Sequence, residues 1–528
     1  MNDLTIELTD RGEKYLYQQI YEYIKEEIRK GKLFAGEKLP STRSLAEYLQ
    51  VARSTVDFAY GQLVAEGYVE ARPCRGYFVS HAEELFHFPA DENAQLYKGA
   101  GKVYAKSAAE RTLWEENGLS AVSVTERDAD AGTERKDRTG DGEEMCREDG
   151  REALFDFSPH AMSLKDFPFA TWKKITKDIL VDANSEMFAL GDARGDEQLR
   201  ETIGRYLHSS RGVNCRPEQI VVGAGTDYLF MLLEKILGRH VPIAMEEPTY
   251  KRAYRVFQSF AYDIKAIPMD AGGMRVEKLR ESGARVAYVM PSHQYPTGIV
   301  MPIGRRMELL KWAGETGGRY LIEDDYDSEF RYKGKPIPAL QASDRSGRVI
   351  YMGTFSKAIA PAIRVGYMVL PERLLPVYKE NCGFYACTVS RIDQRILNEF
   401  IRNGHFERYL NKMRKIYRGR HDFLLSRLSG FERDFLISGE NAGLHVLLTS
   451  RKKIPEKVLI EAAAKEGIKM FGISQDCMGE GSLTGSPFES TVLLGYGAME
   501  ERGLAEGTER LKRAWRPFLS EAAKAGMP

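Results

Sequence analysis

Two hydroxyls, a lysine and an arginine stand close together late in the chain, in Thr354-Phe355-Ser356-Lys357 and then Arg364. They follow an apolar run, Arg348 to Met352, that predicts a short buried strand, and small residues, Ala358 to Ala362, come next. A lysine held at a strand end in a tight turn is partly desolvated, which lowers its pKa and leaves a neutral amine able to attack an aldehyde. The hydroxyls of Thr354 and Ser356 and the guanidinium of Arg364 suit a phosphate ester beside that amine. Aldehyde and phosphate in one small molecule point to pyridoxal 5′-phosphate, held on Lys357 as a Schiff base. Taken alone, the pattern also fits a surface lysine in a loop.

Two upstream stretches carry complementary chemistry. Arg319 to Tyr326 predicts a strand running into carboxylates, one of which could pair with a pyridine nitrogen and keep it protonated. An exposed acidic turn or a divalent-metal site fits the same residues. Ile220 to Asp227 passes from a strand through Gly223 and Gly225 into an apolar helix, and such a turn offers backbone N–H groups to an anion.

Taken together and in order, these pieces resemble fold-type I aminotransferases, in the form fused to a GntR-type head: the MocR/GabR-like regulators. The matching segments are Gly223-Ala224-Gly225-Thr226, Glu247-Pro248-Thr249-Tyr250, Pro291 to Gly298, Glu323-Asp324-Asp325-Tyr326, and Thr354 to Lys357 with Arg364. The resemblance implies that Lys357 forms the Schiff base and that Asp324 partners the pyridine nitrogen. It implies that Tyr326 bonds the phenolate oxygen, that Tyr250 stacks on the ring, and that Gly225, Thr226, Thr354, Ser356 and Arg364 hold the phosphate. It also implies a homodimer with sites at the interface.

The chain departs from the ordinary enzymes in two places. Tyr295 precedes Pro296-Thr297-Gly298 where those enzymes carry an asparagine, and no arginine lies between Gly467 and Glu500. Arg252, beside Tyr250, is a candidate to clamp an effector carboxylate; a surface ion pair is the other reading.

The elements that must position these residues follow from the pattern. Strands predicted at Ile220–Val222, Ile243–Glu246, Ala287–Met290, Tyr320–Glu323, Val349–Met352 and Gly366–Leu370 alternate with helices, which implies a largely parallel, doubly wound α/β sheet with ligands at the strand ends. A small C-terminal lobe is expected around Leu444–Leu448 and Val492–Tyr496. His445, inside an apolar run there, reads as a satisfied core histidine.

The N-terminal part is organised differently. Helical spacing over Lys14–Ile28, a second helix at Ser44–Leu49 capped by Ser41 or Thr42, and a third from Arg53 to Glu66 precede a hairpin, Tyr68–Val79. Three helices and a basic-tipped hairpin predict a winged helix-turn-helix, and Leu39 to Ala46 resembles the GntR signature. Arg53, Ser54 and Thr55 would reach base edges of double-stranded operator DNA, while Arg43, Arg72 and Arg75 would meet phosphates. A helical protein-interaction module is the alternative.

The domains expected are therefore 1–81 for the head, 82–152 as a flexible charged linker that tethers rather than docks it, and 153–528 as the effector domain. Length, 528 residues, and 43% hydrophobic content allow such a division. Basic and acidic side chains balance at 76 each, so DNA binding must come from a local patch. Six cysteines without C-x-x-C spacing, no zinc pattern, no secretory signal and no membrane-length apolar run fit a cytoplasmic protein without metal. The function expected is a transcription regulator sensing a small amine or amino acid, or pyridoxal phosphate itself, through Lys357. A working aminotransferase with an accessory DNA-binding head is the rival.

Overall fold

The computed structural model describes residues 6, 15–72, 75–80, 155–332, 337–440, 442–479 and 486–519. The expected linker, 82–152, lies outside the described residues.

Helices Leu16–Arg29, Thr42–Leu49 and Arg53–Ala65 form the head, followed by an antiparallel hairpin of Val69–Arg72 with Gly76–Val79. Ile20, Ile24 and Ile28 line one stripe of the first helix and are buried, as are Val56, Ala59 and Leu63 of the third. Ser41 caps the second helix by accepting from the Ser44 N–H at 3.0 Å, which satisfies a donor that helix geometry leaves unpaired. Glu66 is buried beneath the head, where Tyr21, Lys25 and Gln62 all donate to its carboxylate.

The second part is built on an eight-stranded sheet. Its spatial order is Ile220–Gly223, Gly366–Val369, Val349–Thr354, Tyr320–Asp325, Val286–Val289, Ile243–Glu247, Ile264–Asp270 and Gly273–Met274. Pairing is parallel from Val349–Thr354 through to Ile264–Asp270, whereas Gly366–Val369 runs antiparallel to both its neighbours. The sheet is thus mixed, and it holds two strands, Ile264–Asp270 and Gly273–Met274, that the sequence pattern did not predict. The central strands Val286–Val289 and Gly366–Val369 are buried along their whole length, as expected where helices cover both faces. A four-stranded antiparallel sheet, Phe435–Ser438, His445–Ser450, Thr491–Gly495 and Phe471–Gly472, forms the C-terminal lobe.

The head is not merely tethered. The Ile303 N–H, at the start of helix Ile303–Glu315, donates to the Glu66 carbonyl at 3.0 Å. Gly67 sits at φ +78°, and a Cβ there would lie 2.8 Å from Cβ of Pro302, so a side chain is excluded from the seam on both counts. One turn further on, buried Arg306 donates to the carbonyls of Met301, Pro338 and Pro291.

Candidate functional site

The side chains that converge do so at the C-terminal ends of the central strands. Lys357 lies on the single turn Phe355–Ala358 that directly follows strand Val349–Thr354. Thr354 Oγ1 caps that turn, accepting from the Ser356 N–H at 3.1 Å. The Lys357 amine makes only a long contact, 3.4 Å, to the Pro159 carbonyl. Burial pushes its pKa down to about 8, with Asp327 pulling the other way, so a substantial neutral fraction exists near physiological pH.

The acidic run Glu323-Asp324-Asp325 is sorted by the period of a strand, which sends successive side chains to opposite faces. Glu323 caps a loop, accepting from the N–H groups of Leu340 and Gln341. Asp325 is neutralised by buried Arg211 at 2.7 Å and accepts from the Tyr351 hydroxyl at 2.6 Å. Asp324 is left on the other face. Its Oδ2 accepts from the Tyr288 hydroxyl, its Oδ1 has no partner, and burial raises its carboxyl to about 6 despite the Tyr288 bond.

Tyr326 follows at once. The Nδ1 of buried His293 lies 3.0 Å from the Tyr326 hydroxyl and 2.9 Å from Asp327 Oδ2. Tyr326 also interacts with Asp327, so His293, Tyr326 and Asp327 form one buried polar cluster. His445 is fully buried and held neutral by desolvation, with its Nε2 3.1 Å from the Pro296 carbonyl. It is a satisfied histidine, though its ring packs on His293 and Tyr295 at 5.4 and 5.7 Å.

The anion-binding end is built at the turn into helix Thr226–Leu237. Gly225 has φ +84° and ψ 177°, and a Cβ there would lie 2.5 Å from Arg364 Nη2. Arg364 itself adopts a left-handed backbone, φ 47°, which aims its guanidinium across the turn. Ser356 Oγ is buried without a partner. Arg364 and Arg252 both pair with Asp227, Arg252 through Nε at 3.1 Å and Nη2 at 2.5 Å. Arg252, the candidate effector clamp, thus shares Asp227 with Arg364 in a half-exposed ion pair.

Aromatic rings complete the cleft. Tyr250 meets Tyr295 edge-on at 5.8 Å, and Tyr295 meets Tyr326 at 6.3 Å. His160, at the open mouth, packs on Tyr295 at 4.7 Å. Tyr295 and Asp476 lie close enough to act on each other's ionisation, and the Asp476 carbonyl accepts from the Thr249 N–H at 2.9 Å. His160 and Asp476 carry no local sequence signal; the open position at Tyr295 was the one visible hint that something else must fill the pocket wall.

An unpartnered buried carboxylate oxygen, a desolvated amine, an unpartnered buried hydroxyl and a glycine turn under an arginine are the donor and acceptor set that pyridoxal phosphate requires, so the residues fit the group.

In the head, Arg43 and Arg53 are exposed at the starts of the second and third helices, each in an i,i+4 ion pair, with Glu47 at 3.0 Å and Asp57 at 3.5 Å. Ser54 and Thr55 occupy the first turn of the third helix. Arg72 lies 4.5 Å from the centre of the Phe78 ring and pairs with Glu70, and Arg75 is exposed at the hairpin tip.

The fold and cleft together define a fold-type I, pyridoxal-phosphate-binding, aminotransferase-like domain joined to a helix-turn-helix head. The family model "Aminotransferase class I and II" matches residues 159–483, and "Bacterial regulatory proteins, gntR family" matches 16–79. The chain is 36% identical to the uncharacterized HTH-type transcriptional regulator YdeL of Bacillus subtilis, over 95% of this chain and 97% of that one. It is 31% identical to the probable rhizopine catabolism regulatory protein MocR of Rhizobium meliloti, over 97% and 96%. A solved structure of Pyrococcus horikoshii kynurenine aminotransferase in complex with PMP superposes with a TM-score of 0.60 at 25% identity, covering 70% of this chain and 92% of that one. The chain belongs to the MocR-like regulators of the gntR family, and it is a transcription regulator with an aminotransferase-like domain.

Proposed function

We propose that this regulator is a cytoplasmic homodimer that senses a primary amine or amino acid at Lys357 and passes the result to its DNA-binding heads. The observation that carries the reading is the Lys357 amine, desolvated and almost free of hydrogen bonds, standing with an unpartnered Asp324 oxygen in a chain that also holds a DNA-binding head.

Bound there, pyridoxal phosphate supplies an aldehyde carbon and an electron-withdrawing ring. Lys357 would hold that carbon and give it up to an incoming amine. Asp324 Oδ1 would accept the hydrogen of the ring nitrogen, and Tyr326 would donate to the ring oxygen. Gly225, Thr226, Thr354, Ser356 and Arg364 would take the phosphate, with Tyr250 covering the ring face. Release of Lys357 changes the charge and contacts of the cleft, and this differential binding can bias two arrangements of the dimer. Two heads would then read paired half-sites through Arg53, Ser54 and Thr55, with Arg43, Arg72 and Arg75 on phosphates. Among the described residues no helix is long and apolar enough to cross a membrane.

A working aminotransferase remains the competing reading, favoured by the full set of Lys357, Asp324 and Tyr326. Purified protein is mixed with candidate amines and a keto acid, and product is measured beside operator binding. Sensing predicts that one amine changes operator affinity while turnover stays far below about 10 per second, an ordinary enzyme median. Rapid multiple turnover, with operator affinity indifferent to every amine, leaves the enzyme and removes the sensor.

A further inference from the structure

Among the described residues, the cations that border the cleft in front of Lys357 are already paired. Of the guanidinium groups that border the site, Arg252 and Arg364 share Asp227, Arg211 is committed to Asp325, Ser292 and the Ile337 carbonyl, and Arg306 to three carbonyls. Lys251, next to Tyr250, donates to the Cys477 carbonyl. A carboxylate brought into this cleft would therefore have to break an existing pair to find a cation.

The wall built by the C-terminal lobe has the opposite character. Asp476 comes from the loop after Phe471–Gly472 and is fixed against the segment leading to Tyr250 by the bond from the Thr249 N–H to its carbonyl. The neighbouring Met478 N–H reaches the Glu247 carboxylate at 3.1 Å and clamps the same junction. The Asp476 carboxylate lies within electrostatic reach of the Tyr295 hydroxyl, and the Tyr295 ring is bordered by Tyr250, Tyr326 and His160. Burial raises the Asp476 carboxyl above the usual carboxylate range, against the pull of Tyr295 and Lys251. Lys251 is the cation already acting on it and is engaged by the Cys477 carbonyl, so a second cation beside Asp476 would add counter-charge, and the faces of Tyr250 and Tyr295 attract cations as well.

We propose that the effector is a primary amine carrying a second, positively charged nitrogen and no carboxylate, with Asp476 and the tyrosines around Tyr295 as the residues that select it. The inference rests on the sensing reading above and names its ligand class. One amine engages the Lys357 site; the distal ammonium displaces or joins the Tyr295 hydroxyl at Asp476. An amino acid of the same length would instead set its carboxylate against Asp476.

The test uses the full-length protein loaded with pyridoxal phosphate and three probes of matched length: 1,4-diaminobutane, butylamine and 4-aminobutanoate. Each is titrated while the cofactor absorbance is followed. The diamine should half-saturate the change at a concentration at least about tenfold below that for butylamine, and 4-aminobutanoate should be no better than butylamine. Asp476→Asn, close in shape, should bring the half-saturating concentrations of diamine and butylamine to within about twofold of each other. Tighter response to 4-aminobutanoate than to butylamine overturns the proposal, as does a diamine advantage that survives in Asp476→Asn. Equal responses to diamine and butylamine in the parent protein overturn this inference alone. A spectrum indifferent to all three amines overturns the sensing reading itself, and this inference with it.

Discussion

Tyr288 donates its phenolic hydrogen to Oδ2 of Asp324 at 2.5 Å, while Oδ1 of the same carboxylate has no partner. One oxygen is anchored and the other is presented, so the carboxylate cannot rotate away from whatever enters the cleft. Asp324→Asn should weaken cofactor binding, because an amide cannot serve as counter-charge to a protonated ring nitrogen. The cofactor-free protein gives a second readout. Its Asp324 carboxyl is raised from 3.8 to about 6, so the folded state keeps a proton that the unfolded chain has lost in this window. The stabilisation is full below pH 3.8 and is lost as pH rises through 6. Relative to Asp324→Asn, the parent should lose stability, on the order of 3 kcal/mol, between those limits. Parallel denaturation curves at every pH would contradict the burial argument.

Lys357 should capture pyridoxal phosphate faster as pH rises, with a midpoint near 8, since only the neutral amine attacks and burial has lowered its pKa from 10.5 to about 8. Stopped-flow absorbance across pH 6.5 to 10.5 reads this directly. A midpoint at 10.5 would place the amine in open solvent. Lys357→Ala should lose both the lysine-linked absorbance and any borohydride-fixable adduct; a normal reducible adduct in that variant moves the site elsewhere.

Gly225→Ala should strike the phosphate end alone. The residue would be strained at φ +84°, at about 1–3 kcal/mol, and its methyl would push against Arg364 Nη2. Affinity for pyridoxal phosphate should fall about tenfold while affinity for pyridoxal, which lacks the phosphate, holds. Equal losses for both compounds would show that the change is a general disturbance of the cleft.

How legible this site was depends on distance along the chain. Lys357 could be read because the strand, the hydroxyls and the small-residue turn are contiguous. Asp324 was singled out by the family resemblance alone, and the alternation of the strand is what sets it apart from Asp325 in the fold. Asp476 could not be found this way, because it meets Tyr295 across two lobes and nothing local marks it. The pairing of Arg252 with Asp227 was hidden for the same reason. Among the strands, Ile264–Asp270 was missed because it combines Pro268 with the exposed residues Ala266 and Asp270, as sheet-margin segments do. One of the sheet's two antiparallel members, Gly366–Val369, reads as an apolar run whichever way it points.

On the head, Arg53→Ala should relax preference at one base position at about 1–3 kcal/mol, and Arg43→Ala should weaken all sequences alike and lower the salt slope by about one. The ion pairs add a further expectation. Each arginine is exposed and held by an acid four residues on, so Glu47→Gln should tighten binding to every duplex slightly by freeing Arg43. Electrophoretic or anisotropy titrations at several salt concentrations separate these effects. Loss of base preference in Arg43→Ala would exchange the two roles.

The bond from the Ile303 N–H to the Glu66 carbonyl gives the molecule its own docking gauge. At the first turn of a helix an amide has no acceptor of its own, so its protection from hydrogen–deuterium exchange is lent by the head. While the head is seated that one amide should exchange slowly, and when the head lifts it should exchange as an open helix end does, with the rest of helix Ile303–Glu315 unchanged. A peptide spanning Pro302 to Met307 therefore reports, without any label, on whether an effector loosens the grip between the two parts.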